Sequence, residues 1–259
     1  MLINSHAYHP LPTIHAVITP ITHEPPFYAK VSLQRRAELP DSKDIFARDF
    51  VESPTRHAGL PAKMAVTSRI SLICHATTRA LRVATFGGDD SLDDVGKAKA
   101  ERLAGSLGRV DQCWSSPALQ ARQTAAAFGL VAMPDDRLRD CDFGRWAGMR
   151  LPAVLLKEPR KLVSWIKDPS SSPHGGESIS EVLERVAAWI SERGRDKGHT
   201  VAFTHPAVIR AAIVHVILAD LPSFWRIDVL PLSRTDLRSN GRRWVLRSMG
   251  PIGASEEIE

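Results

Sequence analysis

The stretch Ile70-Ser-Leu-Ile-Cys-His-Ala-Thr-Thr78 is a short apolar run that ends abruptly in polar residues. Its apolar part, Ile70 to Cys74, is typical of a buried β-strand. Leu92 to Leu107 follows and predicts a helix, and Val110 to Trp114 predicts a second strand. The apolar residues on one face of that helix are Leu92, Val95, Leu103 and Leu107. Strands and helices therefore alternate from the start of this region.

The alternation continues toward the end of the chain. Pro117 is a plausible first residue of an alanine-rich helix that ends at Gly129. Ser178 and Glu181 match a capping box, which predicts the start of another helix. Asn240-Gly241 predicts a tight turn between two strands. We predict an α/β fold, a three-layer sandwich with a mostly parallel sheet flanked by helices and an antiparallel C-terminal hairpin.

The first 63 residues differ from the rest. They contain eight of the 18 prolines and five of the 10 histidines, and they have no sustained apolar periodicity. We expect residues 1–63 to be a disordered extension, or to precede a natural start at Met64, and residues 64–259 to form the domain. No Lys or Arg precedes Lys30, so a secretory signal is not indicated.

Composition excludes several classes of protein. The longest apolar stretch, Ala211 to Ala219, is far shorter than the roughly 20 residues that span a bilayer, so no membrane association is expected. Three cysteines without metal-site spacing suggest neither disulfides nor structural zinc, which favours the cytoplasm. The net charge of +5 favours small anions weakly and does not require nucleic acid. An arginine cluster near the hairpin is interpreted as a solvated face.

Polar pairs stand where three predicted strands end: Cys74-His75, Ser115-Ser116 and Thr204-His205. Open α/β sheets bind ligands along the edge where parallel strands end. Two histidines at one edge suit phosphoryl chemistry, because a neutral imidazole is a nucleophile and an imidazolium stabilises transferred charge. We therefore predict a site that contains His75 and His205.

The order of motifs resembles the histidine phosphatase superfamily, in its phosphoglycerate mutase-like branch. Leu72-Ile-Cys-His-Ala-Thr-Thr78 stands where that family has Arg-His-Gly-Glu-Thr after a strand. Further matches are Trp114-Ser-Ser-Pro-Ala-Leu-Gln-Ala-Arg-Gln-Thr124, Leu138-Arg-Asp-Cys-Asp-Phe-Gly-Arg-Trp-Ala-Gly148, His174-Gly-Gly-Glu-Ser178 and Thr204-His-Pro-Ala-Val-Ile-Arg210. The resemblance covers Ile70 to about Gly250.

The resemblance implies hydrolysis of a small phosphomonoester through a phosphohistidine, without a cofactor. It makes His75 the phosphorylated residue, His205 the second pocket histidine and Asp140 the acid that protonates the leaving oxygen. Asp140 stands where the family usually has Glu, one methylene longer. Glu177 is ranked second as an acid and is expected at a helix start and pocket wall.

Two arginines of the family pattern are replaced, by Cys74 and Gln120. Losing two charge-assisted hydrogen bonds costs about 3 to 6 kcal/mol of phosphate binding, which predicts weak activity. The nearby loops offer Arg79, Arg82 and Arg139 as replacement cations.

Pro206 and Ala207 replace the glycines that usually follow the second histidine, and Pro206 lacks an amide donor. The substituted pocket leaves two alternatives open. The protein is an inactive binding or regulatory module of the same fold, or Cys74, His75, His205 and Asp140 or Cys141 form a soft-metal site. The leading interpretation assigns no metal ligand, and the oligomeric state is unknown.

Overall fold

The computed structural model describes residues 68–253. The expectation of an N-terminal extension over residues 1–63 lies outside the described residues. The boundary of the domain at residue 64 therefore stays a prediction.

Six strands and seven α-helices form the described region. The strands are β1 (Ser68–Cys74), β2 (Gln112–Ser115), β3 (Met133–Pro134), β4 (Gly198–Thr204), β5 (Ser233–Ser239) and β6 (Trp244–Pro251). The helices are α1 (Arg79–Arg82), α2 (Asp94–Arg102), α3 (Leu119–Ala127), α4 (Leu151–Lys157), α5 (Pro159–Lys167), α6 (Ile179–Arg193) and α7 (Pro206–Ile217).

The strands form one sheet in the order β3-β2-β4-β1-β5-β6. Strands β3, β2, β4 and β1 run parallel, whereas β5 and β6 are antiparallel to their neighbours. Cys74 pairs with Thr204 at the ends of β1 and β4, so the residues that follow both strands leave the sheet side by side. The predicted α/β class with an antiparallel C-terminal pair is confirmed.

The sheet has an apolar core on each face. Alternate residues of β1 point to opposite faces: Ile70 and Leu72 join the core that includes α6 and α7, whereas Ile73 joins the core that includes α2 and α3. Since both faces are covered, the central strands are almost completely buried. The three layers follow from this two-sided burial.

Local signals in the sequence set most helix ends. The hydroxyl of Ser178 accepts from the amide of Glu181, and the Glu181 carboxylate accepts from the amide of Ser178, so the predicted capping box begins α6. Pro159 separates α4 from α5, because it opens α5 as its first residue.

Two local predictions are wrong. Val95 was predicted on the apolar face of the helix after the first strand, but it is 50% exposed. Helix α2 buries Gly96 and Ala100 instead, and Gly96 lies against the loop at Thr77. Helix α3 begins at Leu119, two residues beyond Pro117, because the chain stays extended through Ala118.

Among residues 68–253, no helix is long and apolar enough to cross a membrane.

Candidate active site

The sheet order brings the two predicted histidines into contact. Strand β4 lies between β2 and β1, so His75, Ser116 and His205 follow three adjacent strand ends. The amide of His75 donates to Thr204 O at 2.9 Å, and the amide of Ser116 donates to Phe203 O at 2.8 Å. The rings of His75 and His205 meet edge to face with centroids 5.1 Å apart.

A backbone carbonyl determines which nitrogen of His75 is free. His75 Nδ1 lies 2.8 Å from the carbonyl oxygen of Ala76, which can only accept, so Nδ1 carries the proton. In the neutral ring, Nε2 then holds the lone pair. Burial and the neighbouring His205 lower the pKa of His75 to about 4, so the ring is neutral at pH 7. His75 therefore has the protonation state of a nucleophile.

His205 is almost completely buried and contacts two polar side chains. Its Nε2 lies 2.8 Å from Ser116 Oγ, and its Nδ1 lies 3.7 Å from Asp140 Oδ2. Burial, together with the charge of Arg185, lowers the pKa of His205 to about 3. His205 is therefore also neutral at pH 7.

Asp140 has the properties of an acid. Its Oδ1 accepts from the amide of Cys141 at 2.9 Å, which orients the carboxyl group. Burial raises the pKa of Asp140, although that amide and the charges of His75, Arg185 and Arg210 oppose the rise. A carboxyl group with a raised pKa keeps its proton up to a higher pH, which suits it to protonating a leaving oxygen.

Glu177 is instead held as a carboxylate. It accepts from Arg185 at 2.8 Å, from Arg139 at 2.7 Å and from the amide of Asp142 at 3.0 Å. Burial alone would raise the pKa of Glu177, but these donors together lower it. Because Arg185 also donates to the carbonyl of Asp140 at 2.9 Å, the Glu177–Arg185 pair stabilises the loop that carries Asp140.

The three arginines predicted as replacement cations have other surroundings. Arg82 donates to Asp93 at 2.7 Å and is half exposed. Arg139 is paired with Glu177, and Arg79 is exposed at the first position of α1. Among residues 68–253, no hydrogen bond or ion pair joins these three arginines to either of the two histidines. Their role in substrate binding therefore stays a prediction.

Two further arginines act on the site electrostatically. The charges of Arg185 and Arg210 lower the pKa of Asp140. Arg210 donates to Ile227 O at 2.8 Å and stands among the apolar residues of α7. A single arginine in a largely apolar helix is a signal in the sequence that could have singled out Arg210. The role of Arg185 has no such signal, because its partners lie 8 to 48 residues away in the chain.

Both replacements of the family arginines are buried. Cys74 is fully buried in the core, and burial raises the pKa of its thiol, so it remains neutral. Gln120 is 6% exposed and donates through Nε2 to Gly88 O at 2.8 Å. Neither residue supplies positive charge.

Within the described part of the chain, no group of three or more His, Cys, Asp and Glu side chains is arranged to hold a metal ion. The alternative of a soft-metal site around Cys74 therefore gains no support.

Acid should destabilise the protein through the two histidines. Their pKa values in the folded state are lowered to about 4 and about 3, so the unfolded chain binds more protons below its ordinary histidine pKa of about 6.5. Stability is then fully present near pH 7 and is lost as pH falls toward 4, whereas the raised pKa of Asp140 contributes in the opposite direction. Urea unfolding of the wild type and of His75→Gln/His205→Gln should show a smaller loss in the double variant. An equal loss in both would contradict the assignment.

Gly176 lets two loops of the site approach closely. A Cβ at this position would clash with the backbone of Asp142 and of Gly144, which is not free to move. We expect Gly176→Ala to lower the free energy of unfolding by at least about 2 kcal/mol in urea. The matched control is Gly175→Ala, since Gly175 is left-handed but has open space around its Cβ position. A smaller loss at 176 than at 175 would refute the steric argument.

Comparisons with known proteins agree with this geometry. The model of the family described as "Histidine phosphatase superfamily (branch 1)" matches residues 70–251. Phosphoserine phosphatase 1 of Hydrogenobacter thermophilus is 31% identical over 189 residues, which cover 69% of this chain and 90% of the relative. A glucosyl-3-phosphoglycerate phosphatase of Mycobacterium tuberculosis is 31% identical over 110 residues, which cover 40% of this chain and 49% of that protein.

The fold also matches solved structures. A mycobacterial glucosyl-3-phosphoglycerate phosphatase in complex with VO3 is 25% identical, with a TM-score of 0.62, covering 70% of this chain and 97% of that one.

Proposed function

The chain belongs to the histidine phosphatase superfamily, branch 1, and from this membership we propose that it hydrolyses a small phosphomonoester through a phosphohistidine on His75. The observation that carries the proposal is the state of His75. Its Nδ1 proton is held by Ala76 O at 2.8 Å, so Nε2 holds the lone pair, and the ring centroid lies 5.1 Å from that of the second histidine. A neutral imidazole in that tautomer attacks phosphorus without first losing a proton.

The first step forms the phosphoenzyme. The Nε2 lone pair of His75 attacks phosphorus, a P–N bond forms, and the bond from phosphorus to the ester oxygen breaks. The electron pair of that bond goes to the leaving oxygen, which takes the proton of Asp140. The raised pKa of Asp140 supports this role.

The second step releases phosphate. Asp140, now a carboxylate, takes a proton from a water molecule whose oxygen attacks phosphorus. The P–N bond breaks, and its electron pair returns to Nε2 of His75. The enzyme regains its starting protonation state, so the cycle needs no cofactor.

The names of the relatives suggest the first substrates to test. One relative is named for phosphoserine and another for glucosyl-3-phosphoglycerate. Both compounds are small phosphomonoesters. We propose this substrate class for the protein. We also propose a reducing cytoplasm as its compartment, which is supported by the three cysteines because all of them are unpaired.

A specific observation keeps a second function in view. Cys74 and Gln120 provide no positive charge where the resemblance expects two arginines. Without them the domain could act as an inactive binding module that retains His75.

One experiment separates the two functions. Release of inorganic phosphate is measured from a panel that includes phosphoserine and 3-phosphoglycerate derivatives, with trapping of the acid-labile phosphoenzyme. Turnover with a trapped phosphohistidine supports the phosphatase. Binding of panel members without phosphate release supports the module.

A further inference from the structure

A buried carbonyl oxygen stands where the resemblance places an arginine. The NH₂ group of Gln120 faces Gly88 O at 2.8 Å, and because that carbonyl can only accept, the orientation of the amide is determined. Gln120 Oε1 is then the remaining atom. It is buried and has no hydrogen-bond partner among residues 68–253. The position therefore offers an acceptor instead of the donors of a guanidinium group.

Hydrogen bonds place Gln120 beside the histidines. Thr124, one turn later on α3, accepts from the amide of Ala76 at 3.0 Å and donates to the backbone carbonyl of Gln120 at 2.6 Å. Ala76 is the residue whose carbonyl holds the His75 proton. Ser116, four residues before Gln120, contacts His205. Gln120 thus lies between the segments that contact the two histidines.

An unpartnered buried acceptor selects ligands that carry a donor. A fully deprotonated phosphate ester has only acceptor oxygens, which the dipole of Oε1 repels. A singly protonated phosphate ester carries one P–OH group, which donates. The family's arginines would favour the dianion, but Gln120 and Cys74 remove that preference here.

We propose that this site takes its phosphoryl group as the monoanion, with the P–OH group donating to Gln120 Oε1. The inference rests on the proposed function, since it concerns the same pocket. It names a substrate class more narrowly: phosphomonoesters in their singly protonated form, which is populated below their second pKa of about 6.

Other groups around Gln120 also titrate or carry charge. They are His75 after β1, His205 after β4, Asp140 in the loop after β3, Asp89 and Asp90 in the loop that covers the start of α3, the Arg82–Asp93 pair before α2, and Arg122 on α3. Those that change charge with pH can make the binding of any anion depend on pH. A probe that cannot be protonated is therefore needed as a reference.

Methylphosphonate and sulphate provide that pair of probes, because methylphosphonate carries one P–OH group as the monoanion and none as the dianion, and it has no ester bond to hydrolyse. Sulphate has a similar shape, is a dianion throughout and has no proton to donate. Calorimetric binding of both ions is measured at about pH 5.5 and about pH 8.5. Any change in sulphate binding between the two pH values comes from titration of the protein. The ratio of the two affinities at each pH therefore reports the contribution of the P–OH group. We expect methylphosphonate to bind at least about tenfold more tightly than sulphate at the lower pH, with the ratio falling at the higher pH.

Two variants at one position test the acceptor. In Gln120→Leu, which removes Oε1 at similar volume, the ratio of the affinities should approach one at both pH values. In Gln120→Arg, sulphate should bind more tightly than in the wild type, and the preference for low pH should disappear. Circular dichroism and thermal melting confirm that the variants remain folded.

The result that overturns the inference is wild-type protein that binds sulphate as tightly as methylphosphonate at both pH values, or that does not bind methylphosphonate. A ratio unchanged in Gln120→Leu also overturns it. These outcomes are distinct from a failure of the proposed function, which is an absence of turnover and of phosphohistidine. Selective methylphosphonate binding without turnover of any phosphomonoester would refute only the phosphatase.

Discussion

His75→Ala should abolish phosphatase turnover, by at least about a thousandfold, and should eliminate the acid-labile phosphoenzyme. The reason is that Nε2 of His75 forms the bond to phosphorus in the proposed mechanism, and no other neutral nucleophile in the described site is oriented by a carbonyl in the same way. Phosphate release from the best substrate of the panel measures the loss. Trapping with labelled substrate measures the phosphoenzyme.

His215→Ala is the matched control. His215 is a half-buried histidine on α7, away from the strand ends, and it should retain wild-type turnover. A folded His75→Ala protein with full activity, or with a remaining phosphohistidine, would remove the nucleophile assignment.

Asp140→Asn should slow hydrolysis of alkyl phosphates by about 10²- to 10⁴-fold, the usual contribution of general acid catalysis. An amide cannot give its proton to the leaving oxygen, although it can still accept from the Cys141 amide and keep the loop in place. Nitrophenyl phosphate should be affected much less, because its leaving group departs without a proton. The measurement is kcat/KM for both substrates, which reports formation of the phosphoenzyme and excludes the second step, in which Asp140 acts as a base.

Asp142→Asn serves as the control for Asp140→Asn. Asp142 is exposed and accepts from the amide of Gly144 at 2.8 Å, which asparagine can also do, so activity should be preserved. An equal decrease for both substrates in Asp140→Asn would contradict the role of leaving-group acid.

The sequence predicted the class of fold and the two central histidines. Apolar runs such as Ile70 to Cys74 are local patterns, and burial on both faces of a parallel sheet requires them. Because parallel strands end at one edge, His75 and His205 were expected together without knowledge of the strand order. The capping box at Ser178 was also predictable from a local pattern, since both of its hydrogen bonds lie within one turn.

The partners of individual side chains were not predictable in this way. Arg139 meets Glu177 across 38 residues, and Arg82 meets Asp93 across 11, so two cations expected near the phosphate have partners elsewhere in the fold. The orientation of Gln120 depends on Gly88, 32 residues earlier.

By itself, therefore, the sequence determined the alternation of strands and helices and the edge of the sheet at which the two histidines lie. Only the tertiary structure decided which nitrogen of His75 is free, which carboxyl group has a raised pKa and which atom of Gln120 lacks a partner among residues 68–253. Periodicity acts between near neighbours in the chain and is encoded locally. Protonation and hydrogen bonding depend on burial and on groups from distant segments, and these are determined only when the layers pack.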